Sequence, residues 1–265
     1  MTGTGSLVDT TGFPPLARYC LRLGDDAFVF SHRLAEWITN APQIEEDLAL
    51  GNIGLDLLGQ ARALLTRAGE LAAPAGTEAL TEDDLIYWRD ERLFTNVHLV
   101  EQPRGDFAVE MARLLWFSSY QLELYGALVT HPDSTVSGVA GKAVKEVTYH
   151  RDHATQWVLR LGDGTDESHR RMQAAVGVVA PYVDELFADD ELVGALAAEG
   201  AAVLPSTLRE PVVAYVHDVF ASATVEPVDA SWHARGGRAG IHSEALGPML
   251  ATVQHLARSH PGASW

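Results

Sequence analysis

The residues best suited to chemistry lie in Glu146-Val147-Thr148-Tyr149-His150, within a helical stretch, with His153 close behind. On a helix, positions i and i+4 share a face, so Glu146, His150 and His153 can offer one carboxylate and two imidazoles to a single metal ion. The same side chains, with Lys142 and Lys145, can instead satisfy one another as a buried hydrogen-bonded or ionic network. The residue types admit both readings, the first making the chain a metal-dependent oxygenase or oxidase in its own right.

A pair of metal ions demands more. A di-iron carboxylate centre in a helix bundle takes a Glu from each of two helices and a Glu-x-x-His from each of the other two. No glutamate of the chain has a histidine three residues on. Asp166 and His169 have the spacing, but they follow a glycine turn at a helix start, where an Asp reads as a cap. On the preceding long helical stretch the mid-helix candidates are Asn52 and Leu55, and neither an amide nor an isobutyl group replaces a carboxylate or an imidazole. Asp47 and Asp56 read as polar-face residues or partners of arginines; Glu36, Glu110 and Glu123 read as solvated acids on amphipathic helices. The pattern predicts no di-iron site in this chain: metal none, catalytic residues none, cofactor-binding residues none.

Other catalytic signatures fail. There is no G-x-S-x-G and no H-E-x-x-H; GVAGK lacks the phosphate-loop spacing, and GGRAG follows no strand. One segment invites a binding reading. Arg235, Arg238 and His242 lie on a glycine-rich stretch before a helix start, where cationic side chains and backbone amides can meet an anion such as a CoA thioester. The alternative is a loop that packs along the bundle or docks on another subunit.

The elements that would position these residues are helical throughout. Apolar residues recur at helical spacing, and breaks fall where helices should start and stop. The pattern predicts long helices over 16–38, 43–71, 106–130 and 134–161, a fifth from Asp166, a short one after Thr81, one capped by Ser206 toward Ala223, and a last over 243–259. Gly51, Gly54 and Gly59 inside the second helix predict close approach of a neighbouring helix. Four long antiparallel helices with further C-terminal ones make an all-α, up-down bundle of the ferritin-like kind. Residues 1–15 read as a flexible N-terminal tail and 16–265 as a single domain.

Composition narrows the function. The 265 residues carry 36 acidic against 19 basic side chains, net −17, a field that repels nucleic-acid phosphates. No apolar run reaches the roughly 20 residues of a membrane span, and the N-terminus carries no export signal. A soluble, cytoplasmic protein is expected. The single cysteine, Cys20, reads as a buried thiol.

Several long strings carry a resemblance: LRLGDDAFVFSHRLAEWITNAP, EEDLALGNIGLDLLGQAR, RDERLFTN, LVEQPRGDFA, KAVKEVTYHRDH, WVLRLGDGTDES, GGRAGIHSEALGPMLA and HPGASW. Spread from Tyr19 to Trp265, they resemble the C-type structural subunits of ring-1,2-phenylacetyl-CoA epoxidases. The resemblance implies a ferritin-like bundle without cofactor of its own. It also implies a related catalytic subunit that carries the di-iron centre and phenylacetyl-CoA, a small bridging subunit, and a reductase using NADPH, FAD and an iron-sulfur cluster. By comparison with catalytic relatives, Asn52 and Leu55 stand where a Glu and a His ligate iron, and Glu146 with Tyr149 where a second such pair does.

Overall fold

Helix α1, Pro15–Ala35, starts on a proline at its first position and gives way to a turn in which the Trp37 and Ile38 amides donate three residues back, to Leu34 and Ala35, before Thr39 turns left-handed (φ 68°) and donates its amide to Asp47 at 2.7 Å. The helix is therefore shorter than the 16–38 expected. The chain reverses into α2, Ile44–Ala72. In the computed structural model, which describes residues 7–263, eight further α-helices follow: α3 Glu82–Tyr87, α4 His98–Glu101, α5 Phe107–Leu128, α6 Ser134–Gly162, α7 Asp166–Val183, α8 Glu191–Ala198, α9 Arg209–Ser222 and α10 Leu246–Ser259. No strand occurs among the described residues.

Local chemistry explains most starts. Thr81 and Asp84 form a reciprocal capping box, as do Thr165 and Ser168, while Asp106 and Asp133 accept amide hydrogens from the first turns of α5 and α6. Thr165, rather than Asp166, is thus the cap of α7. Ser206 does not cap α9 either: its amide and hydroxyl both donate to Asp189, at 2.9 and 2.5 Å.

The core is a four-helix bundle of two hairpins, α1 with α2 and α5 with α6. Between α1 and α5, Phe30 and Phe117 meet edge to face at 5.1 Å, and in the turn after α1 the Trp37 indole donates to Glu110 of α5 at 2.8 Å. Leu50, Ile53, Leu57 and Leu64 of α2 and Val147 and Ala154 of α6 are fully buried. Helices α7 and α9 lie against α5 and α6, and α10 returns to α3, where Gln254 donates to the Ile86 and Arg89 carbonyls. The buried apolar residues form one contiguous cluster from Tyr19 to Leu250. This is the all-α arrangement expected of a ferritin-like bundle with added helices.

Of the three α2 glycines expected to admit a neighbouring helix, Gly54 does so within the chain: a Cβ there would stand 3.3 Å from the Ser31 carbonyl oxygen. Gly51 has nothing within 4 Å and Gly59 only the Lys142 ammonium at 3.9 Å. Residues 1–6 of the expected tail lie outside the described residues. Further on, Val8 donates its amide to the Trp88 carbonyl at 2.8 Å and Thr10 is buried, so this stretch packs on the bundle.

Candidate functional site

The facing surfaces of α2 and α6 hold the polar residues. His150 is fully buried and its Nε2 lies 3.1 Å from Asp56 Oδ2. Glu146 accepts from the Gln60 amide at 3.2 Å and pairs with the Lys142 ammonium at 2.8 Å. Gln121 of α5 donates to Gln60 at 3.4 Å, extending the chain of amides into the bundle centre. His153 Nε2 approaches Glu46 Oε2 at 3.0 Å, without the alignment of a good hydrogen bond. Burial lowers the pKa of both histidines, against the opposing pull of Asp56 and Glu46, and favours neutral imidazoles. Lys145 is exposed and takes no part.

Asn52, Leu55 and Tyr149 are not brought to this interior. Asn52 is exposed, Leu55 is 66% exposed and Tyr149 50%. The physical reason is helical phase. Ile53, Leu57 and Gln60 turn the inner face of α2 inward, so Asn52 and Leu55, though on one face together, point out. With Ser31, His32, Ala35, Ile38, Ile44, Asp47, Leu48, Gly51, Gly54 and Leu58 they line a groove of about 530 Å³ on the outer side of the α1–α2 hairpin.

The glycine-rich loop is not an anion site. Arg238 reaches inward to Asp26 through two hydrogen bonds of 2.7 and 3.0 Å and also donates to the Thr95 carbonyl. His242 is buried between Glu101 Oε2 at 2.8 Å and the Phe94 carbonyl at 2.9 Å. Only Arg235 is exposed, beside a pocket with Asp184, Asp189 and Asp190 that would repel CoA phosphates. The loop packs along the bundle because buried acids on α1 and α4 need cations.

The donor set does not fit a di-iron group. Among the described residues no three His, Cys, Asp or Glu side chains converge as one metal ion requires. On α1, Asp25 pairs with Arg89 and Asp26 with Arg238, and just past its end Glu36 pairs with Arg33; on α5, Glu110 is held by Arg113 and Trp37. Glu123 is half-buried on α5. His169 donates to the Gly162 carbonyl at 2.8 Å instead of meeting Asp166. Burial pushes the Cys20 thiol up to about 12, the behaviour of a packed side chain.

Known proteins give the chain its relatives. Residues 9–265, hence all ten described α-helices, match the family model described as Phenylacetic acid catabolic protein. The chain belongs to the phenylacetic acid catabolic protein family. Within that family it is similar to the C-type subunit of the 1,2-phenylacetyl-CoA epoxidase of Escherichia coli (strain K12), 45% identical over 253 residues, covering 94% of this chain and 99% of the relative. In this family member the residues missed by sequence reasoning are the interior acids and their partners. Asp25 meets Arg89 with both side chains fully buried, Glu185 binds His98 and the Gly237 amide, and Glu101 binds His242 and the Ser243 amide. The available signal is the Asp25-Asp26 doublet inside the otherwise apolar LRLGDDAFVF.

Proposed function

We propose that the chain is the structural, non-catalytic subunit of a di-iron 1,2-phenylacetyl-CoA epoxidase, acting in the cytoplasm in aerobic phenylacetate degradation. The observation that carries this reading is the bundle centre. Where a di-iron protein of this architecture gathers carboxylates and imidazoles around two metals, α2 and α6 here match them in pairs and the neutral amides of Gln60 and Gln121 occupy the middle. Similarity to the C-type subunit of an epoxidase supports the same assignment. The related catalytic subunit holds the irons and binds phenylacetyl-CoA. A small bridging subunit joins the assembly, and a reductase supplies electrons from NADPH through FAD and an iron-sulfur cluster. This chain supports the catalytic subunit's helices in the geometry its irons need.

Co-expression with the other epoxidase subunits tests the proposal. The chain is expected to co-purify with the catalytic subunit in a fixed ratio and to give no epoxide from phenylacetyl-CoA when supplied with reductase alone. Epoxide formation by the chain without its catalytic partner would overturn the reading.

A further inference from the structure

The face of α2 that carries Leu48, Asn52 and Leu55 is left exposed by the described residues of the chain. Ile44 is 79% exposed, Leu48 69%, Leu55 66% and, across the groove on the turn after α1, Ile38 51%. Four large aliphatic side chains gathered at one groove form a patch of the kind that marks an interface.

We infer that this groove is the seat of one amphipathic helix of another subunit, whose apolar stripe is flanked by Lys or Arg. The inference rests on the structural-subunit reading above and says which face meets the partner and what that partner must look like.

Shape argues for a helix. Gly51 weakens α2, and among the described residues nothing stands within 4 Å of the position its Cβ would take, in contrast to Gly54, which α1 approaches. Along the groove the order Leu48, Gly51, Leu55 alternates knob and gap at helical spacing, the relief into which another helix's ridge packs. Asn52, in the middle of the stripe, offers one amide to fix register.

Charge decides among occupants. Asp47 lines the groove and is met by the Thr39 amide, which brings no full positive charge, and the exposed Glu45 follows the groove residue Ile44 in the chain. His32, which lines the groove, has its pKa lowered by burial and does not offset them. A second copy would bring the same acids face to face, on chains each of net −17. CoA would meet the same negative rim. A cation-rimmed helix is the complementary guest.

The test uses the co-expressed epoxidase subunits. Wild type should retain its partner through affinity purification and gel filtration. Leu48→Glu/Leu55→Glu should reduce retained partner at least tenfold while the isolated variant keeps the wild-type melting temperature, because both side chains are already exposed. Glu45→Lys should slow association several-fold and flatten its salt dependence. As a check independent of that variant's folding, Leu55→Cys can be labelled with an environment-sensitive fluorophore, Cys20 being buried. Its emission should shift to the blue when the partner is added. Full partner retention by the double variant, or an unmoved emission with partner bound, overturns the inference and leaves the structural-subunit reading intact. If wild type retains no partner, that reading falls and the inference with it. If the isolated wild-type chain is a dimer that the double variant abolishes, the occupant is a second copy and the inference is wrong.

Discussion

Asp26 and Arg238, 212 positions apart in the chain, close a two-pronged ion pair that joins the middle of α1 to the C-terminal loop. Neither side chain is free to meet a ligand: Asp26 also accepts the Val97 amide at 2.9 Å and Arg238 also donates to the Thr95 carbonyl at 2.8 Å. Breaking a buried pair by removing one partner strands the other charge at a cost of about 3–5 kcal/mol. Asp26→Asn is therefore expected to lower unfolding free energy by roughly that amount in urea titration. Asp26→Leu/Arg238→Met should recover much of the loss. Equal stability of Asp26→Asn and wild type would contradict the pairing.

The glycines of α2 separate a face covered within the chain from one that is not. Gly51→Ala and Gly59→Ala should each raise the stability of the isolated chain by up to about 1 kcal/mol, the helix-propensity difference. Gly69→Ala should destabilise it, since the new Cβ would fall 1.9 Å from the Leu80 carbonyl oxygen. Thermal unfolding of the three variants checks the ordering; a destabilised Gly51→Ala would mean that this face is covered internally.

His242 and His150 should give opposite pH signatures. Burial disfavours the His242 imidazolium, but the Glu101 hydrogen bond and charge outweigh it and raise the pKa. The resulting stabilisation is complete below the unfolded value of about 6.5 and lost as pH rises through the folded value. The penalty of His242→Gln should accordingly be larger near about pH 6 than near about pH 9. For His150 burial prevails over Asp56 and lowers the pKa, so the unfolded chain takes up the proton first and wild type loses stability as pH falls below about 6.5. His150→Gln should flatten that acid limb. Urea midpoints across pH measure both, and parallel profiles for wild type and variants would refute the assignments.

Helix ends are legible in the sequence because their signals are local: Thr81 with Asp84, Asp133 before α6, and the glycine turn before Thr165 all act within a few residues. Helical phase is harder. Asn52 and Leu55 share a face, as their spacing requires, but whether that face looks inward depends on how α1 and α6 pack against Ile53 and Leu57. The loop cations mislead for a different reason. Arg238 and His242 carry no local mark of burial, and their partners Asp26 and Glu101 lie 212 and 141 positions away, so the sequence near them suggests an anion site that the fold has already filled. Residue type alone does better for the histidines, since His150 does meet an acid, Asp56, on the neighbouring helix.

Metal content tests the central claim most directly. The complex and the separated chain, purified from iron-supplied cells, should be assayed for iron by mass spectrometry, with His150→Ala alongside. Paired donors and neutral amides at the bundle centre predict iron in the complex that stays with the catalytic subunit, far less than one atom per copy of this chain, and no change on His150→Ala. Near-stoichiometric iron on the separated chain that disappears in His150→Ala would contradict the account.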